Sequence, residues 1–160
     1  MTMEQIILVL AWVISISILL IFIPKDKIRN AIVAFQFKQV LTWLFGLAVV
    51  QMRMIEYPVR LFDYASRASF TFEFLAYPAI CAIFNVHYPE GKSKIAQFGY
   101  YALYTSVITV TEVILERYTN LIVYIHWSWY WTWITLFTTF FLSHLFYKWF
   151  FRKINTGHTK

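Results

Sequence analysis

Three glutamates within apolar stretches are the residues of this 160-residue chain best suited to do chemistry. Glu73 lies about one helical turn inside an apolar run, and Glu112 and Glu116 lie one turn apart near the end of another. Two carboxylates at that spacing repel each other, and binding of a proton or a cation relieves the repulsion. The pattern therefore indicates a proton or cation site. The alternative is that these groups pair with arginines and only fasten helices together.

A second charged set lies between two apolar runs and alternates in sign at steps of three and four. Its members are Arg53, Glu56, Arg60, Asp63 and Arg67. On a helix this spacing places all of them on one face, and Pro58 divides the segment into two helical pieces. One interpretation is a polar cavity in which the arginines are counter-charges to the three glutamates. The other is a solvated interfacial helix with weak surface ion pairs.

Hydroxyl side chains recur at helical spacing in the last apolar run. They are Ser128, Thr132, Thr135, Thr139 and Ser143. Such hydroxyls let helices approach closely and bond across their interface, which is the interpretation we favour. The alternative is a hydroxyl-lined permeation path. Two further polar stripes show helical spacing, one of Tyr101, Thr105 and Thr109 leading to Glu112, and a weaker one of Gln36, Gln39, Trp43 and Gly46.

The histidines and the single cysteine offer little chemistry of their own. No two histidines stand at the spacing of a metal site, so we expect no bound metal and no cofactor. His126 could join Glu112 and Glu116 in three dimensions, which is the basis of a membrane-embedded, lipid-modifying enzyme as one alternative. His144 is expected to be a hydrogen-bonded residue within a helical bundle, and Cys81 a small packing residue.

The elements that position these residues follow from the composition. Sixty per cent of the residues are hydrophobic and 14% are charged, against about 25% charged in a typical soluble domain. A soluble domain of this size could not bury so much apolar surface. The sequence therefore predicts an all-α integral membrane protein, a single helical bundle over residues 1–160 with the lipid bilayer as its surroundings. The net charge of +6 does not indicate nucleic-acid binding, because the cations flank apolar segments.

Five apolar runs are long enough to cross a bilayer, which takes about 20 residues each. The expected spans are about 6–23, 30–52, 68–86, 95–115 and 129–151, followed by a polar tail over 152–160. Residues 119–128 are apolar but too few to cross, so we expect them at the membrane interface. Four or six spans are the alternatives, and the segment 53–67 decides between them.

The distribution of cations predicts orientation in the plasma membrane. Nine cations follow the first, third and fifth spans, and four lie on the other side. Because cytoplasmic loops are enriched in lysine and arginine, we expect the N-terminus outside and the C-terminus in the cytoplasm. Indole rings favour the membrane interface. The expected interfacial residues are Trp127, Trp129, Trp131 and Trp133 on the outer side and Trp149 on the inner side.

Several aromatic and proline motifs carry a family resemblance. They are Glu56-Tyr57-Pro58, the turn Asn85 to Pro89, Trp127 to Tyr130, and Phe146 to Phe151. The chain from about Asn30 onward resembles a family of small multi-pass membrane proteins from endospore-forming Gram-positive bacteria, bacilli and clostridia. The resemblance implies a bacterial plasma membrane as the location. It implies no activity and no catalytic residues.

The function that these patterns favour is passage of an ion or small solute through a polar cavity that faces outward. An alternative is a non-catalytic structural or assembly subunit, either in a homo-oligomer or with another membrane protein. We expect no catalytic residues, because the chain lacks the motifs of serine hydrolases and of redox enzymes.

Overall fold

Five α-helices make up most of the computed structural model, which describes residues 2–156 and the side chains of residues 2–152. They are α1 (Met3–Phe22), α2 (Ile28–Gln51), α3 (Tyr77–Val86), α4 (Lys94–Tyr118) and α5 (Trp129–Thr156). The predicted all-α fold class is confirmed. Helix α5 continues through Thr156, into the segment expected to be a polar tail, and residues 157–160 of that tail lie outside the described part.

Local signals in the sequence set where the helices begin and end. Thr2 and Gln5 form a capping box at the start of α1, in which each side chain bonds the other residue's backbone N–H. Pro24 follows α1, and a short 3₁₀ turn over Lys25–Lys27 leads into α2. The Ser93 hydroxyl accepts the Ala96 N–H at the start of α4.

Contacts at the two ends of the helices show that successive helices run in alternate directions. At one end, the Asn120 side chain lies 3.5 Å from the Glu4 carboxylate, and the Asn120 carbonyl accepts the Val59 N–H. At the other end, Asn30 Nδ2 donates to the Tyr147 hydroxyl at 3.0 Å. We call the first end, formed by residues 52–69 and 119–128, the cap. We call the second end, formed by residues 24–29, 87–94 and the last turns of α5, the basic end.

Within residues 2–156, three helical stretches are long and apolar enough to cross a membrane by length and composition: Met3–Phe22, Lys25–Gln51 and Lys94–Tyr118. A shorter apolar helical stretch covers Phe70–Val86. Tryptophan, tyrosine and threonine are frequent in α5, and these residues lower its hydropathy although it is the longest helix.

A π-helix over Phe70–Ala76 precedes α3 and continues into it without a break. Pro78 explains why the segment is wound this way. Proline has no N–H, so it gives no partner to the carbonyl four residues earlier in an α-helix or five residues earlier in a π-helix. The carbonyls left free by this rule are those of Phe74 and Glu73.

The cap is not helical, so the expectation of two helical pieces over 53–67 is wrong. Arg53 and Phe62 have left-handed backbone, with φ of 55° and 58°. The Arg60 guanidinium donates to the carbonyls of Tyr57, Asp63 and Ser66, at 2.7, 2.9 and 2.6 Å. A backbone that folds around one guanidinium in this way cannot also be a helix, and the alternating charges do not share a face.

Two short strands complete the cap. Strand β1 (Ile55–Glu56) pairs with β2 (Val123–Tyr124) in an antiparallel arrangement, with Ile55 opposite Tyr124. This pairing joins the α2–α3 connection to the α4–α5 connection. It places Tyr57 and Tyr124 side by side above the bundle. The apolar stretch 119–128, expected at the membrane interface, is part of this cap.

Candidate functional site

Glu112, on the buried face of α4, is held by three hydroxyl groups from three different parts of the chain. Tyr77 donates at 2.7 Å, Tyr124 at 2.6 Å and Thr132 at 2.8 Å. Trp127 Nε1 donates in turn to the Thr132 hydroxyl at 2.8 Å. A carboxylate that loses its water on burial is compensated by such charge-assisted bonds. Glu112 is therefore fixed in place from α3, α5 and the cap.

Glu73 lies in the π-helix and is also buried, with 6% of its surface exposed. Among the described residues, the only donor to its carboxyl group is the Tyr57 hydroxyl, 3.1 Å from Oε1. The two carboxyl groups thus differ, because Glu112 accepts three hydrogen bonds and Glu73 accepts one. Glu73 keeps more capacity to bind a proton or a cation.

Side chains of α2 donate hydrogen bonds to the carbonyls that Pro78 leaves free. The Thr42 hydroxyl lies 2.6 Å from the Glu73 carbonyl, and Gln39 Nε2 donates to the Phe74 carbonyl at 2.8 Å. Gly46, one turn further along α2, lies against the Glu73 carboxyl group. A Cβ atom at Gly46 would stand 2.7 Å from Glu73 Cδ. The weak stripe on α2 therefore contains residues that hold the π-helix.

Lys38 is the fully buried cation among the described residues. It lies in α2, its ammonium donates to the Thr139 hydroxyl, and it lies 4.2 Å above the Phe140 ring. No described carboxylate lies within 4 Å of it, since the salt bridge formed by described residues joins Lys148 and Glu90 at 3.9 Å. Its charge still acts on Glu73 through the protein interior.

The two glutamates line one cavity of about 80 Å³, just beneath the cap. Its wall also includes Gly46, Thr139 and Trp127. A water molecule takes about 30 Å³ in the liquid, so the cavity has room for about two or three waters. The space suits water, a proton or one small cation, and it is too small for a sugar or an amino acid.

Charge counting shows what this cavity could bind. If all three groups were ionised, Glu73, Glu112 and Lys38 would carry a net charge of −1. An uncompensated buried charge is costly, because the protein interior does not replace the water that the group loses. One bound proton or one monovalent cation brings the group to neutrality.

Other residues expected in the ionisable site lie elsewhere. Arg53, Glu56, Asp63 and Arg67 are exposed on the cap, Glu116 is half-buried and His126 is exposed. None of these six lines the cavity. Arg60 holds the cap backbone, so its predicted role as a counter-charge is wrong, as is the pairing of Glu73 with Arg53 or Arg60. The His126 N–H bonds the Met54 carbonyl at 3.2 Å.

The hydroxyl stripe of α5 contacts several other elements. Thr132 bonds Glu112 of α4, Thr139 accepts from Lys38 of α2, and Ser143 accepts from Cys81 of α3. Thr135 bonds carbonyls of its own helix and lines the cavity. The Ser128 carbonyl accepts the first N–H groups of α5.

The expected interfacial tryptophans have more than one environment. Trp129 and Trp131 are exposed at the cap, and Trp149 is exposed at the basic end. Trp127 instead bonds Thr132 at the site, and Trp133 donates to Ser106 of α4 at 3.1 Å.

Sequence reasoning missed Lys38 and three tyrosines as site residues. A lysine in the middle of an apolar run was a usable signal, because its burial is costly without a function or a partner. Tyr57, Tyr77 and Tyr124 gave no such signal, since they are far apart in sequence and meet only through the packing of α3 and the pairing of β1 with β2.

No group of three or more histidine, cysteine or acidic side chains within the described residues is placed to hold a metal ion. Comparison of the chain with protein-family models, with characterised proteins and with solved structures finds no match. Its function must therefore be inferred from the chemistry of its own residues.

Proposed function

We propose that the chain is an integral membrane protein that crosses the bilayer five times, with its N-terminus outside and its C-terminus in the cytoplasm. Three apolar helices of membrane-spanning length and the alternating helix directions support this proposal. The distribution of charge supports the orientation. The described cations at the basic end are Lys25, Lys27, Arg29, Lys92, Lys94, Lys148 and Arg152, against three arginines in the cap and Arg117 in the last turn of α4 next to it.

Within that membrane setting, the protein passes protons or a small monovalent cation through the cavity beneath the cap. One observation carries this proposal: Glu73 and Glu112, both buried, line the same small cavity, and Lys38 is the fully buried cation among the described residues. Two carboxyl groups with one such cation can take up one further proton or monovalent cation. The volume of the cavity favours an ion over an organic solute.

The asymmetry between the two glutamates suggests separate roles. Glu112, with three donors, is the carboxyl group held in a fixed position. Glu73, with one donor, is the group that binds and releases the ion. The family resemblance to membrane proteins of endospore-forming bacteria stays a prediction, and this proposal does not depend on it.

Flux into sealed liposomes tests the proposal. Purified protein is reconstituted, a proton or potassium gradient is imposed, and a trapped pH-sensitive dye or a potassium electrode records the movement. We expect flux for the wild type and its loss in the Glu73→Gln/Glu112→Gln variant, which keeps side-chain size and removes both charges. The matched control is Glu56→Gln/Glu116→Gln, which changes two glutamates outside the cavity.

Wild-type flux no greater than that of empty liposomes would overturn the proposal. The buried charges would then serve helix packing, and the chain would be tested as a subunit that assembles with itself or with another membrane protein. Equal flux in the wild type and the Glu73→Gln/Glu112→Gln variant would remove these two residues from the pathway.

A further inference from the structure

A second buried polar cluster lies in the half of the bundle nearer the basic end. Asn85 Nδ2 donates to the Cys81 carbonyl at 2.9 Å, and its Oδ1 lies 3.0 Å from His144 Nδ1. Ser143 lies within hydrogen-bond distance of both Asn85 and the Cys81 thiol. Cys81, Asn85, Ser143 and His144 form what we call the inner cluster.

The hydrogen bonds of the inner cluster define the state of the imidazole ring. Because the Asn85 amide group donates to the Cys81 carbonyl, its oxygen is the atom that faces His144, and an amide oxygen can only accept. His144 Nδ1 therefore carries the hydrogen. In the neutral ring, Nε2 then has a free lone pair.

That lone pair has no partner among the side chains that the structure describes. His144 is 95% buried, and its Nε2 is the one buried side-chain N or O atom among the described residues that lacks a hydrogen-bond partner. Leaving a buried acceptor unpaired costs about 1–3 kcal/mol, so an orphan of this kind requires an explanation. Packing alone does not give one, since an apolar side chain would fill the same space without the cost.

The surroundings of His144 connect it to the basic end. Its ring lies 3.8 Å from that of Tyr88 and 6.3 Å from that of Tyr147, measured between centroids. Tyr88, Tyr147 and Asn85 line an open cavity of about 940 Å³ at the basic end, which we call the inner cavity. Three neighbours of the imidazole thus separate it from a space large enough for many waters.

On its other side, the inner cluster leads toward the cavity beneath the cap. Thr132, Thr139 and Ser143 mark one face of α5, and the first and last are about 16 Å apart along the helix axis. Lys38 bonds Thr139, and its charge acts on the Cys81 thiol. Lys38, Cys81, Ser143 and Phe140 are all fully buried, so this stretch is closely packed.

We propose that the ion handled by the protein is the proton, and that His144 is its binding group at the inner end of the pathway. This inference rests on the proposed function and specifies its ion. An alkali cation needs several oxygen ligands and a space to pass through, and the packed stretch around Lys38 offers neither. A proton needs only groups that can accept and give it up.

The step at His144 is a simple proton exchange. A hydronium ion that enters from the inner cavity past these neighbours gives a proton to Nε2, which leaves water and an imidazolium whose Nδ1–H still bonds Asn85. The reverse step returns the proton to water. Either direction is balanced and needs no other reactant.

Several titratable groups surround this step. Tyr101 faces the imidazole from α4, and Tyr147 and Lys148 from α5, while the Cys81 thiol of α3 bonds the adjacent Ser143. Tyr88 faces it from the α3–α4 turn, where burial raises the pKa of its hydroxyl. The tyrosines are therefore neutral near pH 7, and Lys148 is the nearby charge that opposes formation of the imidazolium.

Two variants in liposomes test the assignment. His144→Asn keeps a donor toward Asn85 and removes the atom that takes up the proton, and His87→Asn is the matched control because His87 is exposed at the basic end. We expect proton flux to fall by about tenfold or more in His144→Asn and to stay within about twofold of wild type in His87→Asn. Normal proton flux in folded His144→Asn would overturn the role of His144, and wild-type potassium flux equal to the proton flux would overturn the choice of ion.

Nitrogen NMR of histidine-labelled wild-type protein provides a test that requires no folded variant. At neutral pH, one imidazole should show a protonated Nδ1 and a bare Nε2, and lowering the pH should protonate that Nε2. A ring that carries its hydrogen on Nε2 at neutral pH would contradict the inference. Complete absence of wild-type flux would instead reject the proposed function, and the NMR result would show separately whether Nε2 binds protons.

Discussion

At the scale of single residues, the position of the Glu73 carboxyl group depends on the missing side chain of Gly46. A Cβ atom there would stand 2.7 Å from Glu73 Cδ and 2.9 Å from Oε1, closer than atoms of this kind approach. The glycine lies within α2, where it costs about 0.5–1 kcal/mol relative to alanine. We infer that the helix accepts this cost because the carboxyl group needs the space.

Gly46→Ala tests this dependence. The added methyl group should push the Glu73 carboxyl group away from the Tyr57 hydroxyl, lower the free energy of unfolding by about 1–3 kcal/mol and reduce proton flux. Denaturation in detergent and flux in liposomes measure the two effects.

Gly99→Ala is the control, because nothing lies within 4 Å of a Cβ at that position on α4. It should leave flux unchanged and stability equal or slightly higher. If Gly46→Ala behaves like this control, Glu73 is not held as described.

The sequence predicts a site residue when its own neighbours in the chain carry the signal. It does not predict a partner that lies far away in the chain. Glu73 and Glu112 could be selected because carboxylates in apolar runs are costly. Their different environments could not be predicted, because the donors come from Tyr57, Tyr77 and Tyr124. No spacing rule relates a cap tyrosine to a glutamate in another helix.

At the scale of elements, the π-helix over Phe70–Ala76 sets the direction of Glu73. Pro78 removes the N–H that would continue the ladder, and Thr42 and Gln39 of α2 receive the two free carbonyls. The helix is thereby wound more loosely and fixed to α2. A π turn at a functional site is a recurrent arrangement.

Pro78→Ala should undo this winding. The new N–H can bond the Phe74 carbonyl, so the segment should tighten toward an α-helix and turn Glu73 away from the cavity. We expect proton flux to fall by about tenfold, with helix content by circular dichroism unchanged. Pro89→Ala, in the turn after α3, is the matched control, and a Pro78→Ala variant with full flux would show that the π winding is not needed.

The cap is an element held by one guanidinium. Arg60 donates to three backbone carbonyls, and lysine cannot reproduce this geometry because its ammonium is a compact point donor. Arg60→Lys should lower the free energy of unfolding by about 1–2 kcal/mol and increase hydrogen exchange in residues 57–66. Arg67→Lys, at an exposed position, should do neither. Equal hydrogen exchange in the two variants would show that Arg60 does not hold the backbone of the cap.

The helices could largely be predicted from apolar runs and from their caps, and the segment 53–67 could not. Steps of three and four predicted helical pieces there. The structure instead bonds the backbone of this segment to Arg60 and to the chain between α4 and α5. The spacing of charged residues along the chain does not indicate such distant partners. Tertiary contacts therefore decide the structure of this segment, and the helical spacing does not.

At the scale of the whole molecule, positive charge is distributed unevenly along the axis of the helical bundle. The basic end contains seven described cations, and the ionisable groups of the site lie toward the cap. This arrangement predicts that the cap faces outward and the basic end faces the cytoplasm.

Labelling with a membrane-impermeant maleimide tests the orientation in intact cells. Tyr64→Cys at the fully exposed tip of the cap should react from outside, and Lys92→Cys at the basic end should react only after the cells are opened. The wild type is the control, because Cys81 is fully buried and should not react. The reverse pattern would invert the orientation.

The most direct test of the central claim compares proton flux in two single variants that make the same chemical change. Glu73→Gln removes a carboxyl group from the cavity, and Glu116→Gln removes one from the half-buried flank of α4. We expect Glu73→Gln to lower the initial rate by about tenfold or more and Glu116→Gln to leave it within about twofold of wild type. Equal rates in the two variants would contradict the assignment of Glu73 as the group that binds and releases the proton.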